Sequence, residues 1–261
     1  MVHSSFAETC HLYLNRKTCY VQPWARNRLF STKYSKNQNR FLKNQKNAVL
    51  SDSRYIRVVA GAGAGKTKTL TRRIVKLLLV DGVHPSDIIA FTFTEKAAQS
   101  MKSRVYERVK QLGGEEQCAH IGETFIGTIH ACCLRILQDY VGCGAFGSID
   151  ENQEMAFLLR FGWDLHLTGG RNYPENCELF KQTLSVVYSE MIPDAVLDKK
   201  AHDFFQSYKK YEEHLTHHKR LTFNRMIALA VTHLKEKPDV LTNVKYLIVD
   251  EYQVSTVPRS S

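Results

Sequence analysis

Ala60-Gly61-Ala62-Gly63-Ala64-Gly65-Lys66-Thr67 is the stretch on which the fold of this 261-residue chain turns. Before it, Tyr55 to Ala60 is a short β-branched run that reads as a strand. After it, from Lys66 to about Leu79, apolar residues recur at helical spacing. Strand, glycine-rich turn and helix in that order make a phosphate-binding loop. The glycines let the backbone wrap an anion with converging N–H groups, and the helix N-terminus adds partial positive charge. Lys66 is then expected to reach the β- and γ-phosphates of a nucleotide, and the Thr67 hydroxyl to bind Mg²⁺. The strict pattern has glycine where Ala60 stands, so the match is relaxed at one position.

Such a loop needs carboxylates across the sheet for metal and water. Tyr246-Leu247-Ile248-Val249-Asp250-Glu251 supplies them: an apolar strand that delivers two acids at its C-terminal edge. That edge is where α/β sheets bind ligands. Asp250 is expected to hold Mg²⁺ through its waters, and Glu251 to orient and deprotonate an attacking water.

Between these two stretches the chain alternates. Ile88–Thr94 and Phe125–His130 read as strands, Lys96–Leu112 and Ala131–Tyr140 as helices, which predicts a parallel sheet covered on both faces. From Gly142 to about Ser207 the strand signal fades. Glu151–Phe161, Glu178–Met191 and His202–His214 have helical spacing, broken by Gly169-Gly170 and Pro174, so this region reads as a helical insertion. The β/α pattern returns with a helix from Phe223 to Lys235 and the strand Lys245–Asp250.

The net charge is +10, but residues 1–46 hold nine Lys or Arg against the single acid Glu8. The remaining body is close to neutral, so an argument for nucleic acid must come from motifs and not from bulk charge. The acid-poor arm admits three readings: a solvated tail, a DNA-contacting arm, or an organellar presequence, the last without a clear amphipathic helix before Asn27. No stretch approaches the roughly 20 apolar residues of a membrane span. Seven cysteines without a CxxC pair read as reduced thiols, and the expected location is cytoplasmic. His214, His217 and His218 share a helix face and could share a metal, but with no further ligand implied they read as solvated. Cys132-Cys133 in an apolar helix reads as core packing.

Asp250-Glu251-Tyr252-Gln253, with the glycine-rich loop upstream, resembles the UvrD/Rep/PcrA helicase family of superfamily 1. Phe41-Leu42-Lys43-Asn44-Gln45 followed by Ala48-Val49 resembles the family's Q motif. Phe91-Thr92-Phe93-Thr94-Glu95-Lys96-Ala97-Ala98 resembles motif Ia, and Gly127-Thr128-Ile129-His130 resembles motif Ib. The resemblance spans about residues 41–253 in the family's order. It implies an α/β fold, a RecA-like P-loop NTPase parallel sheet with an inserted helical subdomain, and ATP with Mg²⁺ as cofactors. It implies 3′-to-5′ unwinding, with single-stranded DNA and 3′-tailed duplex DNA as partners.

The site residues are carried over position by position. Gln45 would pair with adenine, and Ala60, Gly61, Ala62, Gly63, Ala64, Gly65, Lys66, Thr67 and Lys68 would surround the nucleotide. Lys66, Asp250, Glu251 and Gln253 would carry catalysis, with Gln253 sensing the γ-phosphate and Thr67 and Asp250 holding Mg²⁺. Phe93, Thr94, Thr128 and His130 would touch the strand, Phe93 by stacking on a base.

Departures accompany the match. Lys68 stands where relatives often carry an adenine-stacking arginine, a contact an ammonium cannot reproduce. Thr222-Phe223-Asn224-Arg225-Met226 resembles an acidic turn with its acids lost, which points to a structural role there. Val254 replaces an expected Asp, and the sequence stops at Ser261 without the family's later motifs. The expected organisation is a basic, disordered arm (1–40), a RecA-like domain in two parts (41–140 and 208–253), the helical insertion (141–207) and a truncated tail (254–261). The expected activity is that of an ATP-dependent helicase whose motor is incomplete in this chain. The alternatives are a non-catalytic nucleotide- or DNA-binding module and an inactive frameshift fragment.

Overall fold

Ile88–Phe91 forms β1, and all four of its side chains are buried. A strand covered on both faces belongs in a parallel sheet with helices above and below. In the computed structural model β1 runs parallel to β2 (Phe125–Gly127) on one side and to β5 (Tyr246–Val249) on the other. The structure describes residues 43–61, 63–169 and 172–251. Among these, two compact units are distinguished, one comprising 43–129 with 241–251 and the other 130–240.

In the first unit, Phe91 lies in register with Gly127 on one neighbour and with Val249 on the other. Past the strands the ladder is carried on by the Asp250 amide, which donates to the Phe91 carbonyl at 2.8 Å. At the opposite end the Lys245 amide donates to the Asp87 carbonyl at 2.8 Å, and Lys245 Nζ pairs with the buried Asp87 carboxylate at 2.6 Å. β5 is thereby fixed at both ends, which sets where Asp250 and Glu251 emerge.

The sheet is clothed by α1 (Lys43–Leu50), α2 (Lys66–Leu79) and α3 (Glu95–Gly113). Met101, Val105, Val109 and Leu112 recur every three or four residues along α3 and meet Ile74, Val75 and Leu77 of α2 together with Ile88, Ala90, Ile126 and Ile248 of the sheet. Each such aliphatic side chain contributes roughly 1.5–3 kcal/mol by leaving water. Val105→Asp would bury an unpaired charge in this layer and disrupt it. Arg73 Nη1 donates to the Val49 carbonyl at 2.8 Å, tying the last turn of α1 to α2.

The strand expected at 55–60 is not formed. Among the described residues no strand pairs with this segment, and β5 has a neighbour on one side only. Val59 is 83% exposed. β-branched residues favour a strand only where a neighbour takes up the backbone hydrogen bonds and covers the side chains, and neither condition holds here. β1 and β2 also end earlier than expected, because Thr94 caps α3 and Ile129 opens α4 (Ile129–Tyr140).

The second unit is helical, as the spacing predicts. α5 (Glu151–Phe161) starts at Asp150 with a capping box closed by Gln153. It is followed by α6 (Tyr173–Glu190), α7 (Asp194–Lys200), α8 (His202–His217) and α9 (Phe223–Glu236). Leu158, Leu165, Cys177, Phe180, Leu184, Tyr211 and Leu215 make its core, with Ala228 of α9 packed against them. That contact is why this unit extends past residue 207. β3 (Gly147–Ile149) and β4 (Arg220–Thr222) form a short parallel pair that the sequence pattern does not signal. Among the described residues no helix is long and apolar enough to cross a membrane.

A buried polar network organises this unit. Arg225 lies in the first turn of α9. Its Nε donates to Glu212 Oε2 at 2.8 Å, Nη2 to Thr216 Oγ1 at 2.9 Å and Nη1 to the Arg220 carbonyl at 3.1 Å. Tyr188 donates to the other oxygen of Glu212. Tyr211 donates to Glu154 at 2.8 Å, and burial holds the Glu154 carboxyl above its ordinary pKa despite that bond. Thr222 caps α9 by accepting from the Arg225 amide.

Candidate functional site

The loop before α2 adopts the backbone its glycines permit. Gly63 and Gly65 have φ of 75° and 82°, a region costly for other residues. Gly65 is the N-cap of α2, and the first intrahelical amide bond is Thr69 to Gly65, so the amides of Lys66, Thr67 and Lys68 have no acceptor within the helix. Lys66 and Thr67 are half-buried and Lys68 is exposed. Ala62 lies outside the described residues.

Across the sheet, β5 delivers the two acids onto this loop. Thr67 Oγ1 donates to Asp250 Oδ2 at 2.9 Å, and Lys66 Nζ lies 3.4 Å from each oxygen of Glu251. Asp250 is 8% exposed. Glu251 has φ of 55°, a left-handed conformation uncommon for a side chain of its kind, and its amide donates back to Asp250 Oδ1 at 3.1 Å. The 2.9 Å between Thr67 Oγ1 and Asp250 Oδ2 is close to the spacing of adjacent oxygens around a small octahedral cation, about 3 Å for metal–oxygen bonds of ~2.1 Å. The pair therefore fits a divalent ion in place of its shared proton.

Gln45, on α1, donates from Nε2 to the Ala64 carbonyl at 2.7 Å. It touches the loop itself, so a bidentate adenine contact would require this bond to open. Gln253 lies outside the described residues.

A second set of expected residues gathers where β1 and β2 end. Phe93 is 65% exposed, and Thr94 accepts from the Ala97 amide at 3.1 Å as the N-cap of α3. Thr128 donates to Glu95 at 2.8 Å. Glu95, part of the stretch that resembles motif Ia, is the first residue of α3, two residues beyond Phe93. His130 belongs to the other unit, where its ring lies 4.6 Å from that of Phe223. In that unit His214 is hydrogen-bonded through Nε2 to Asp164 at 2.6 Å. Cys132 is buried, and its thiol is pushed up to about 12 by desolvation.

A family model described as the UvrD/REP helicase N-terminal domain matches residues 41–256. The chain belongs to the UvrD/REP helicase family. It is 32% identical over 222 residues to the ATP-dependent DNA helicase PcrA of Staphylococcus epidermidis, covering 80% of this chain and 29% of PcrA. It is 30% identical over 236 residues to the ATP-dependent DNA helicase SRS2 of Saccharomyces cerevisiae, covering 80% of this chain and 20% of SRS2. The PcrA of Staphylococcus aureus matches at 30% over 222 residues. This UvrD/REP N-terminal domain thus spans between a fifth and three tenths of the relatives it matches.

Proposed function

We propose that this domain binds ATP with Mg²⁺ at the Gly61–Thr67 loop and single-stranded DNA at the edge marked by Phe93, as the nucleotide-holding part of a 3′-to-5′ helicase. The observation that carries the reading is the meeting of Lys66 with Glu251 and of Thr67 with Asp250, across 185 and 183 residues of sequence. In this reading the loop amides and Lys66 hold the phosphates. Thr67 and Asp250 would hold Mg²⁺, which when bound screens phosphate charge. Glu251, released from Lys66, orients the attacking water and takes its proton. Gln45 leaves the Ala64 carbonyl to meet adenine, and Gln253 senses the γ-phosphate.

On the DNA side, the exposed Phe93 would stack on a base, with Thr94 and Thr128 on the segments that leave β1 and β2. A 3′-tailed duplex is the substrate that presents such a strand to a translocating motor. Calorimetry of ATP binding, with and without Mg²⁺, tests the nucleotide half of the reading. The wild type should bind in a Mg²⁺-dependent manner, and Asp250→Asn should lose most of that dependence. Equal binding by the two proteins in both conditions would refute the assigned site.

A further inference from the structure

We propose that Arg73 is a positioning residue for recognition of the nucleotide base. By gripping the end of α1 it holds Gln45 over the phosphate loop, and so sets a preference for adenine over guanine. The inference rests on the nucleotide reading given above, in which Gln45 meets adenine. α1 is eight residues long and Val49 is its buried residue, so its own helical bonds do little to fix it in place. Side chains tie it down at both ends. Gln45, in the first turn, donates from Nε2 to the Ala64 carbonyl at 2.7 Å, and a Cβ at Gly65 would lie 3.1 Å from that amide nitrogen. One turn on, Arg73 Nη1 donates to the Val49 carbonyl at 2.8 Å and to the Ser51 carbonyl at 2.5 Å. Both acceptors lie at or just past the helix end, where carbonyls lack intrahelical partners and a cation is favoured.

A bidentate adenine contact opens the bond between Gln45 and Ala64, which removes the tie at the first turn. The grip at the other end then decides where the amide sits. Among the described residues a second strap from α2 to this end is Lys76, whose ammonium lies 2.8 Å from Asp81 but 3.5 Å from Asp52, a side chain 92% exposed. A solvated pair of that length holds a segment weakly, so the hold on α1 falls to Val49 and Arg73. Arg73 lies on α2 about two turns beyond Lys66, so the helix that offers its amides to phosphates also anchors the reader of the base. A side-chain amide accepts from adenine N6 and donates to N7. Guanine presents acceptors at both positions, so the same amide satisfies one and opposes the other. That choice requires the amide at a fixed distance and angle, and a helix free to swing loses it.

The test is calorimetry of the full chain with the Mg²⁺ complexes of ATP, GTP and inorganic tripolyphosphate, which has no base. The wild type should bind ATP about tenfold more tightly than GTP, the lower part of the range for a bidentate amide–base pair. Arg73→Met should bring the two affinities together while leaving tripolyphosphate binding unchanged. Arg73→Lys, whose ammonium ends one bond short of Nη1, should give an intermediate ratio, and it decides the matter where the methionine variant does not fold. Gln45→Ala should abolish the ratio, and adding Arg73→Met to it should change nothing further. A ratio unchanged in the Arg73 variants but lost in Gln45→Ala would overturn the proposal and leave the nucleotide reading standing. So would equal weakening of all three ligands, since Arg73 would then support the loop as a whole. A wild type that binds ATP and GTP equally removes this inference and keeps the phosphate site. One that binds none of the three removes the nucleotide reading with it.

Discussion

Lys66 Nζ sits 3.4 Å from both oxygens of Glu251, so the proposed phosphate-binding cation and the proposed base form an ion pair. In the proposed reading nucleotide takes Lys66 from Glu251, and that exchange frees the carboxylate as the phosphates arrive. The expected outcome is asymmetric. Lys66→Ala removes the charge that faces the phosphates and should weaken ATP binding at least tenfold, about 1.4 kcal/mol. Glu251→Gln removes the competitor and should tighten binding several-fold while abolishing hydrolysis. Calorimetry on both variants checks this, and equal weakening in the two would show that the pair does not compete with nucleotide.

Phe93 carries its own prediction. A phenylalanine 65% exposed at the sheet edge has little packing to lose, so Phe93→Ala should change thermal stability only slightly. Single-strand affinity should drop by about 1–3 kcal/mol if a base stacks there. Anisotropy and a melting curve on the same preparation decide it; unchanged affinity at every salt concentration would remove the ring from the strand path.

Arg225 is buried against Glu212, Thr216 and the Arg220 carbonyl. Arg225→Met strands the Glu212 charge in a largely enclosed site and should cost about 3 kcal/mol in urea unfolding. Adding Glu212→Gln should restore part of the loss, because the orphaned charge goes with it. A double variant as unstable as the sum of the two singles would mean that the two side chains are not coupled.

Glu154 gives a pH signature. Burial raises its carboxyl pKa, so the folded chain holds the proton more tightly than the unfolded chain does. The stability contributed by that proton is full below the unfolded value, about 4.3, and is lost as pH rises through the folded value. Glu154→Gln keeps an acceptor for Tyr211 and has no charge to bury. Its stability relative to wild type should therefore improve on going from about pH 4 to neutrality. Urea midpoints at the two pH values measure this, and a difference independent of pH would contradict it.

The two kinds of information divide cleanly at particular residues. Gly63 and Gly65 announce a phosphate loop in sequence because their positive φ is a local requirement that few other residues meet. Asp250 and Glu251 are legible for a similar reason: four apolar residues ahead of two acids define a strand and its C-terminal end. Three helices of the inserted unit, α5, α6 and α8, are signalled by apolar spacing, which is also local, whereas α7 is not, and Pro174 starts α6 instead of breaking it. What the sequence by itself determined was therefore the α/β class, the order of the motifs and the residues at which a nucleotide site is proposed. The tertiary structure decided three other things. It set Lys66 against Glu251 and Gln45 against Ala64, it withheld a strand at 55–60, and it buried Arg225 in a network spread over two helices and a strand. Each depends on partners far away in the chain. A strand takes its hydrogen bonds from a neighbouring strand, and a charge its burial from whatever packs around it, so neither can be read from the residues on either side.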